Sequence, residues 1–173
     1  MSIADLYVKE LGHPCRQASF GRGDESFRVL KWDAFAHQTA IVIYAAFNGM
    51  GVSKVSLVLA VTRAVDSVAS ELAWAQRSIE ASDNGIRVGD TLDLKKPLWD
   101  GSNMNVFDIR APSPVVLKCI NVEAMHNEGV HVLQVVPLFN SETALRNSLG
   151  VEQFQQRLAV NDLYLDPDRS PVS

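Results

Sequence analysis

Residues Val130 to Leu158, VHVLQVVPLFNSETALRNSLGVEQFQQRL, constrain the fold more than any other stretch of the chain. Val130 to Val136 is β-branched and aliphatic, which suits a strand. Pro137 is expected to end that strand, since proline offers no N–H to a central ladder. Ser141 is placed to open a helix, with Glu142 in its first turn, where the helix dipole favours an anion. Gly150 supplies a left-handed stop. A second helical pattern follows at Val151, Phe154 and Leu158. None of these features is a catalytic motif.

The rest of the chain must supply a sheet for this stretch to join. Ile3, Leu6, Tyr7 and Leu11 share one helical face. Arg16 to Glu25, with Gly21 and Gly23, reads as an exposed loop. Ser26 to Trp32 alternates as a strand. Asp33 to Gln38 is a connection containing His37. Thr39 to Phe47, TAIVIYAAF, is apolar on both faces, so it belongs in the middle of a sheet covered on both sides. Asn48 to Gly51 is a turn, and Val52 to Val61 returns as a strand, suggesting an antiparallel hairpin.

Thr62 is expected to cap the longest helix. Its stripe is Val65, Val68, Ala69, Leu72, Ala75 or Gln76, and Ile79, with Trp74 at the edge. Asp83, Asn84 and Gly85 end it. A short strand at Leu92 to Leu94, a strand from Met104 to Arg110 and a strand from Val115 to Val122 follow. Cys119 falls in the last of these. Glu123 to Gly129 reads as a turn. The tail after Leu158 is polar, and Arg169 to Ser173 should be mobile.

The implied order is one helix, three strands, the long helix, three or four more strands, then two helices. Helices do not alternate with every strand, so the chain is not doubly wound. The expected class is α/β of the α+β type: a central, mostly antiparallel or mixed sheet flanked by helices. At 173 residues a single domain is expected, with its core over about residues 25–160.

Charge and motifs exclude more than they assign. The formal net charge is −4 and the basic residues are scattered, which disfavours a nucleic-acid groove. The mean hydropathy is +0.02 and no apolar run reaches membrane-spanning length. The N-terminus lacks the pattern of a signal peptide, so a cytoplasmic location is expected, with Cys15 and Cys119 reduced. His126 and His131, with Glu123 and Glu128 nearby, lie in a turn and a strand, would not share a face and lack a fourth ligand, so no metal site is expected. His13 near Cys15 lacks a third group to orient a base. No cofactor is implied, and the chain is expected not to be an enzyme.

Two features point to binding. Asp90, Asp93, Asp100 and Asp108 come from one segment and would form an acidic docking surface if they gather. In Lys95 to Asn103, Trp99 is either a loop anchor packed on the core or an exposed interface anchor. Lys95, Trp99, Asp100 and Asn103 are therefore the candidate partner-binding residues. Exposed edge strands also leave room for a homodimer by sheet extension.

Four segments resemble the suppressor-of-fused-like domain family. They are RVLKWDAF and TAIVIYAAFNGM between Arg28 and Met50, VSLVLAV with its helix to Ile79, GDTLDLKKPLWDGSNMNVFDI from Gly89 to Ile109, and VHVLQVVPLFNSE with GVEQF. The likeness spans about residues 25–160. The first strand lacks the family's proline after Trp32, and the turn after the second is Asn48-Gly49-Met50-Gly51. The resemblance implies a sheet flanked by helices and no enzyme activity. It further implies a stand-alone bacterial protein of the immunity type, which neutralises a cognate toxin protein by occluding it.

Overall fold

The computed structural model describes residues 1–23, 26–36, 39–50, 54–82 and 85–173. Asp24, Glu25, His37, Gln38, Gly51, Val52, Ser53, Asp83 and Asn84 lie outside the described residues, and with them parts of the expected loop, connection, turn and helix end.

The chain begins with α1 (Ile3–Leu11). Its start is fixed by a capping box: Ser2 Oγ accepts from the Asp5 amide at 3.1 Å, and the Ser2 amide donates to Asp5 at 3.0 Å. The Ser2 hydroxyl, donating to Asp5 Oδ2 at 2.7 Å, and the Ser2 amide hold the Asp5 carboxyl below its ordinary pKa. The strands β1 (Arg16–Phe20), β2 (Phe27–Ala36), β3 (Thr39–Asn48) and β4 (Val55–Val61) follow, then α2 (Val68–Glu80). Next come β5 (Thr91–Asp93), β6 (Met104–Arg110), α3 (Pro114–Cys119), α4 (Val122–Asn127) and β7 (His131–Phe139). α5 (Asn140–Leu149), α6 (Val151–Ala159) and a 3-10 helix (Val160–Leu165) complete the order.

Seven strands form one sheet in the order β1-β2-β3-β4-β7-β6-β5. All neighbours are antiparallel except β4 and β7, which run parallel over Val55–Val58 and His131–Gln134. The sheet is thus mixed and flanked by helices, as expected. β3 is buried on both sides, with Ile43, Ala45 and Phe47 facing one core and Val42, Tyr44 and Ala46 the other. The first core is covered by α1, α3, α4, α6 and the 3-10 helix. The second is covered by α2 and by Leu94, Leu98 and Trp99. Each fully buried Leu or Phe contributes roughly 1.5–3 kcal/mol relative to exposure.

Several expectations are corrected. Residues 16–20 are an edge strand, not a loop. Its side chains are largely exposed, so no alternation marks it in the sequence. Val115 to Val122 is not a strand and Glu123 to Gly129 is not simply a turn; two short helices occupy them. Pro114 at the first helical turn presets the backbone, and the Asn121 side chain accepts from the Ala124 amide at 3.0 Å. Cys119 therefore lies on a helix, half-buried, where burial raises its thiol pKa.

Thr62 does not cap α2. Its amide donates to the Leu165 carbonyl at 2.9 Å, and the helix begins only at Val68. Of the predicted stripe, Val65, Val68, Leu72, Ala75, Gln76 and Ile79 are buried, and Ala69 is half-buried. Pro137 does not end its strand, because β7 runs on to Phe139. The β4 ladder stops at Gln134, so Pro137 sits where β7 has one strand neighbour, β6, and a missing N–H is tolerated. Ser141 lies inside α5 rather than at its cap. Glu142 does the capping, accepting from the Phe139 amide at 3.0 Å.

Candidate functional site

The segment from Lys95 to Asn103 is held as a shaped loop. The Leu98 amide donates to the Met104 carbonyl at 2.9 Å, and the Ser102 amide to the Trp99 carbonyl at 3.1 Å. Gly101 takes φ +79° at the tip, a conformation that favours glycine. The Asp100 amide donates to Ser67 Oγ at 3.3 Å, joining the loop to the start of α2. Leu98 and Trp99 point inward. Trp99 is 5% exposed and packs in the α2-side core, so it is a loop anchor and not an exposed interface anchor. A large ring beside two apolar neighbours is stabilised more by the core than by solvent.

The other candidates are exposed. Asp100 and Asn103, with the edge of Trp99, border a cleft of ≈ 280 Å³. Arg63, Asp168 and Arg169 complete it. Arg63 donates to Asp168 through Nε at 2.5 Å and through Nη2, which pins the tail beside the loop. That pairing holds the Asp168 carboxyl below its ordinary pKa. Lys95 stands apart from the cleft. It has φ 59° and pairs with Asp93. The four aspartates do not gather into one acidic surface. Asp90 closes its own turn by accepting from the Arg87 amide at 2.8 Å, Asp93 is taken by Lys95, and Asp108 is fully buried.

Asp108 belongs to a charged layer that sequence reading missed. It lies between the β6–β7 part of the sheet, α5 and the tail. Arg110 Nε donates to Asp108 Oδ2 at 2.6 Å, and Arg146 Nε stands 3.0 Å from Asp108 Oδ1. Arg146 also donates to the Gly89 carbonyl. Arg169 forms a two-pronged pair with Glu142, one prong being Nη2 to Oε2 at 2.8 Å, and donates to the Pro137 carbonyl at 2.9 Å. The Val172 amide donates to Glu142 Oε1 at 2.9 Å. The tail expected to be mobile is thus bonded into the fold. The sequence does carry a signal: Asp108 and Arg110 are two apart, so they share one face of a mostly apolar strand.

The remaining chemical candidates are dispersed. His126 and His131 do meet, with ring centroids 4.9 Å apart, contrary to the expectation that they would not share a face. Both are exposed, and among the described residues no group of three or more His, Cys, Asp or Glu is placed to hold a metal ion. Cys15 Sγ donates to the Lys31 carbonyl at 3.3 Å. On the α2 side, Asp66 Oδ1 accepts from Lys31 at 2.8 Å and from the Tyr44 hydroxyl at 2.9 Å. The Lys31 bond holds the Asp66 carboxyl below its ordinary pKa, while burial raises that of Tyr44. No described helix is long and apolar enough to cross a membrane.

No protein-family model matches the sequence, and no curated protein matches it. Solved structures do. A suppressor-of-fused homologue from Neisseria gonorrhoeae superposes with a TM-score of 0.73 at 19% identity, over 96% of this chain and 92% of that one. The chain has the suppressor-of-fused fold. A chain of the Sufu–Fu complex matches with a TM-score of 0.64 at 12% identity, covering 95% of this chain and 86% of its own length. Drosophila Suppressor of Fused gives 0.53 at 14% identity, over 84% of this chain and 43% of that protein. The suppressor-of-fused fold here carries the loop cleft at the sheet end where β7 runs into α5 and β6 begins.

Proposed function

We propose that this chain is a non-catalytic protein-binding module that neutralises a cognate toxin protein by covering it. The observation that carries the binding part is the fold, shared with a chain of the Sufu–Fu complex, a protein bound to a protein partner. The loop cleft supports a place for the contact. Asp100 and Asn103 are exposed on a backbone fixed by hydrogen bonds, so little conformational freedom is lost on docking. Trp99 supports that surface from below, while Lys95, apart from the cleft and paired with Asp93, is left out of the contact. A tight complex needs roughly 1,200–2,000 Å² of total buried surface, more than the cleft alone offers. The neighbouring Arg63–Asp168 pair extends the contact. The neutralising role follows the resemblance to the immunity-type members of the family.

The test is to co-express the chain with the product encoded beside it. Co-purification and protection of cells from that product are expected. Failure of both would sink the toxin reading. Binding to a partner without protection would leave a regulatory interaction module, the second reading.

A further inference from the structure

A second cavity, of ≈ 440 Å³, shares no lining residue with the loop cleft and opens between the end of β6, α3, α6 and the 3-10 helix. Its size falls in the range of small-molecule sites. Two buried polar atoms of its lining, Arg110 Nη2 and Gln155 Nε2, have no hydrogen-bond partner, and Ser113 Oγ beside them meets only the Tyr164 hydroxyl. Buried polar groups in folded proteins are nearly always paired, so two orphans in one cavity call for an explanation. Arg110 is 9% exposed.

The charge balance points the same way. Among the described residues the layer holds three guanidiniums (Arg110, Arg146, Arg169) and two carboxylates (Asp108, Glu142), one positive charge in excess. Glu142 is taken by Arg169, so Arg110 and Arg146 share Asp108. Burial pushes the Arg110 guanidinium pKa down, against the pull of Asp108. The cavity's other titratable groups are Tyr164, whose phenol pKa burial pushes up, and Asp162, exposed at the rim. The walls are apolar, with Val115 and Val136 buried and Val88 54% exposed at the edge.

We propose that this cavity binds an organic carboxylate with a short apolar body, its carboxylate received by Arg110, Ser113 and Gln155. One free guanidinium edge and two neutral donors suit a single negative charge, and the apolar walls disfavour a phosphate. The carboxylate comes either from a free acid or from the C-terminus of a polypeptide. The site is separate from the loop cleft and does not depend on the toxin reading.

The experiment uses the full chain, with the Gln155 side-chain amide followed by 15N NMR and affinity by calorimetry. The probes are isovalerate, its neutral amide, inorganic phosphate, and an acetylated peptide ending in leucine as free acid or as amide. Isovalerate or the free-acid peptide should shift the Gln155 signal saturably, and the amides should not. Whichever of the two binds more tightly identifies the source. Gln155→Leu and Ser113→Ala, which spare the ion pairs, should each weaken binding by about tenfold with the fold intact by circular dichroism. The proposal fails if neither acid binds, if amide and acid bind alike, if phosphate binds as tightly, or if both folded variants bind like wild type.

Discussion

The α2 side of the sheet and the corner beneath α5 and the tail are packed by different physics. Under α2 the contacts are apolar: Leu57, Leu59, Leu72, Phe107 and Ile109 are all fully buried. The polar exceptions are answered locally. Gln76 accepts from the Leu57 amide at 3.1 Å and donates to the Val55 carbonyl at 2.9 Å, while Glu71 pairs with Lys96 at 2.9 Å. Under α5 the same sheet presents Asp108 and Arg110, and the space is filled by charged side chains. Apolar packing degrades gradually when trimmed. A buried ionic layer responds steeply, because removing one member leaves its partner charged and dry. Both candidate binding surfaces border the second region, through Arg169 at the loop cleft and Arg110 at the cavity.

The sharpest way to break this comparison is to remove one charge. Arg169→Met leaves Glu142 unpaired at 0% exposure, so a loss of about 3–5 kcal/mol is expected in urea unfolding. Deleting residues 169–173 should cost a similar amount. A loss under about 1 kcal/mol for both would show the pair to be inert. On the α2 side, Leu72→Ala should cost about 2–5 kcal/mol through cavity formation. The two regions then separate in the double variant. Glu142→Leu with Arg169→Met should recover part of the single-variant loss, since no charge is stranded although the Phe139 and Val172 amides lose their acceptor, whereas no second truncation can rescue Leu72→Ala.

The sequence made the α2 side legible and left the charged corner hidden. A stripe such as Val65, Val68, Leu72 and Ile79 repeats at helical spacing, so burial is written locally. The central strand TAIVIYAAF likewise declares itself by being apolar on both faces. The charged layer is assembled from β6, α5 and the tail, and Glu142 and Arg169 are 27 residues apart. A polar tail bearing two prolines reads as solvent-exposed unless its partner is known. Trp99 was legible as an anchor but not as to which surface it served. The α3–α4 segment misled because a mostly apolar stretch of eight residues, interrupted only by Lys118 and Asn121, suits a strand or a helix equally.

Smaller effects sharpen the picture at the surface. Asp66 has a depressed pKa, from an ordinary value of 3.8, through Lys31. Its contribution is therefore present above about pH 4 and lost as pH falls through the folded-state value. Its side chain is 39% exposed, so Asp66→Asn should flatten the acid limb by only a few tenths of a kcal/mol. Asp100→Ala should leave the urea midpoint unchanged within about 0.5 kcal/mol, because its side chain is exposed. If it also leaves partner affinity unchanged, the loop cleft is not the contact.

The account turns on the tail being a built part of the charged layer that shapes both surfaces. Hydrogen exchange at the Val172 amide reads this directly, since that amide donates to buried Glu142. The account predicts exchange slowed by at least about a hundredfold relative to an unstructured chain, and lost in Glu142→Leu with Arg169→Met. Exchange at the free-chain rate in the wild type would contradict it.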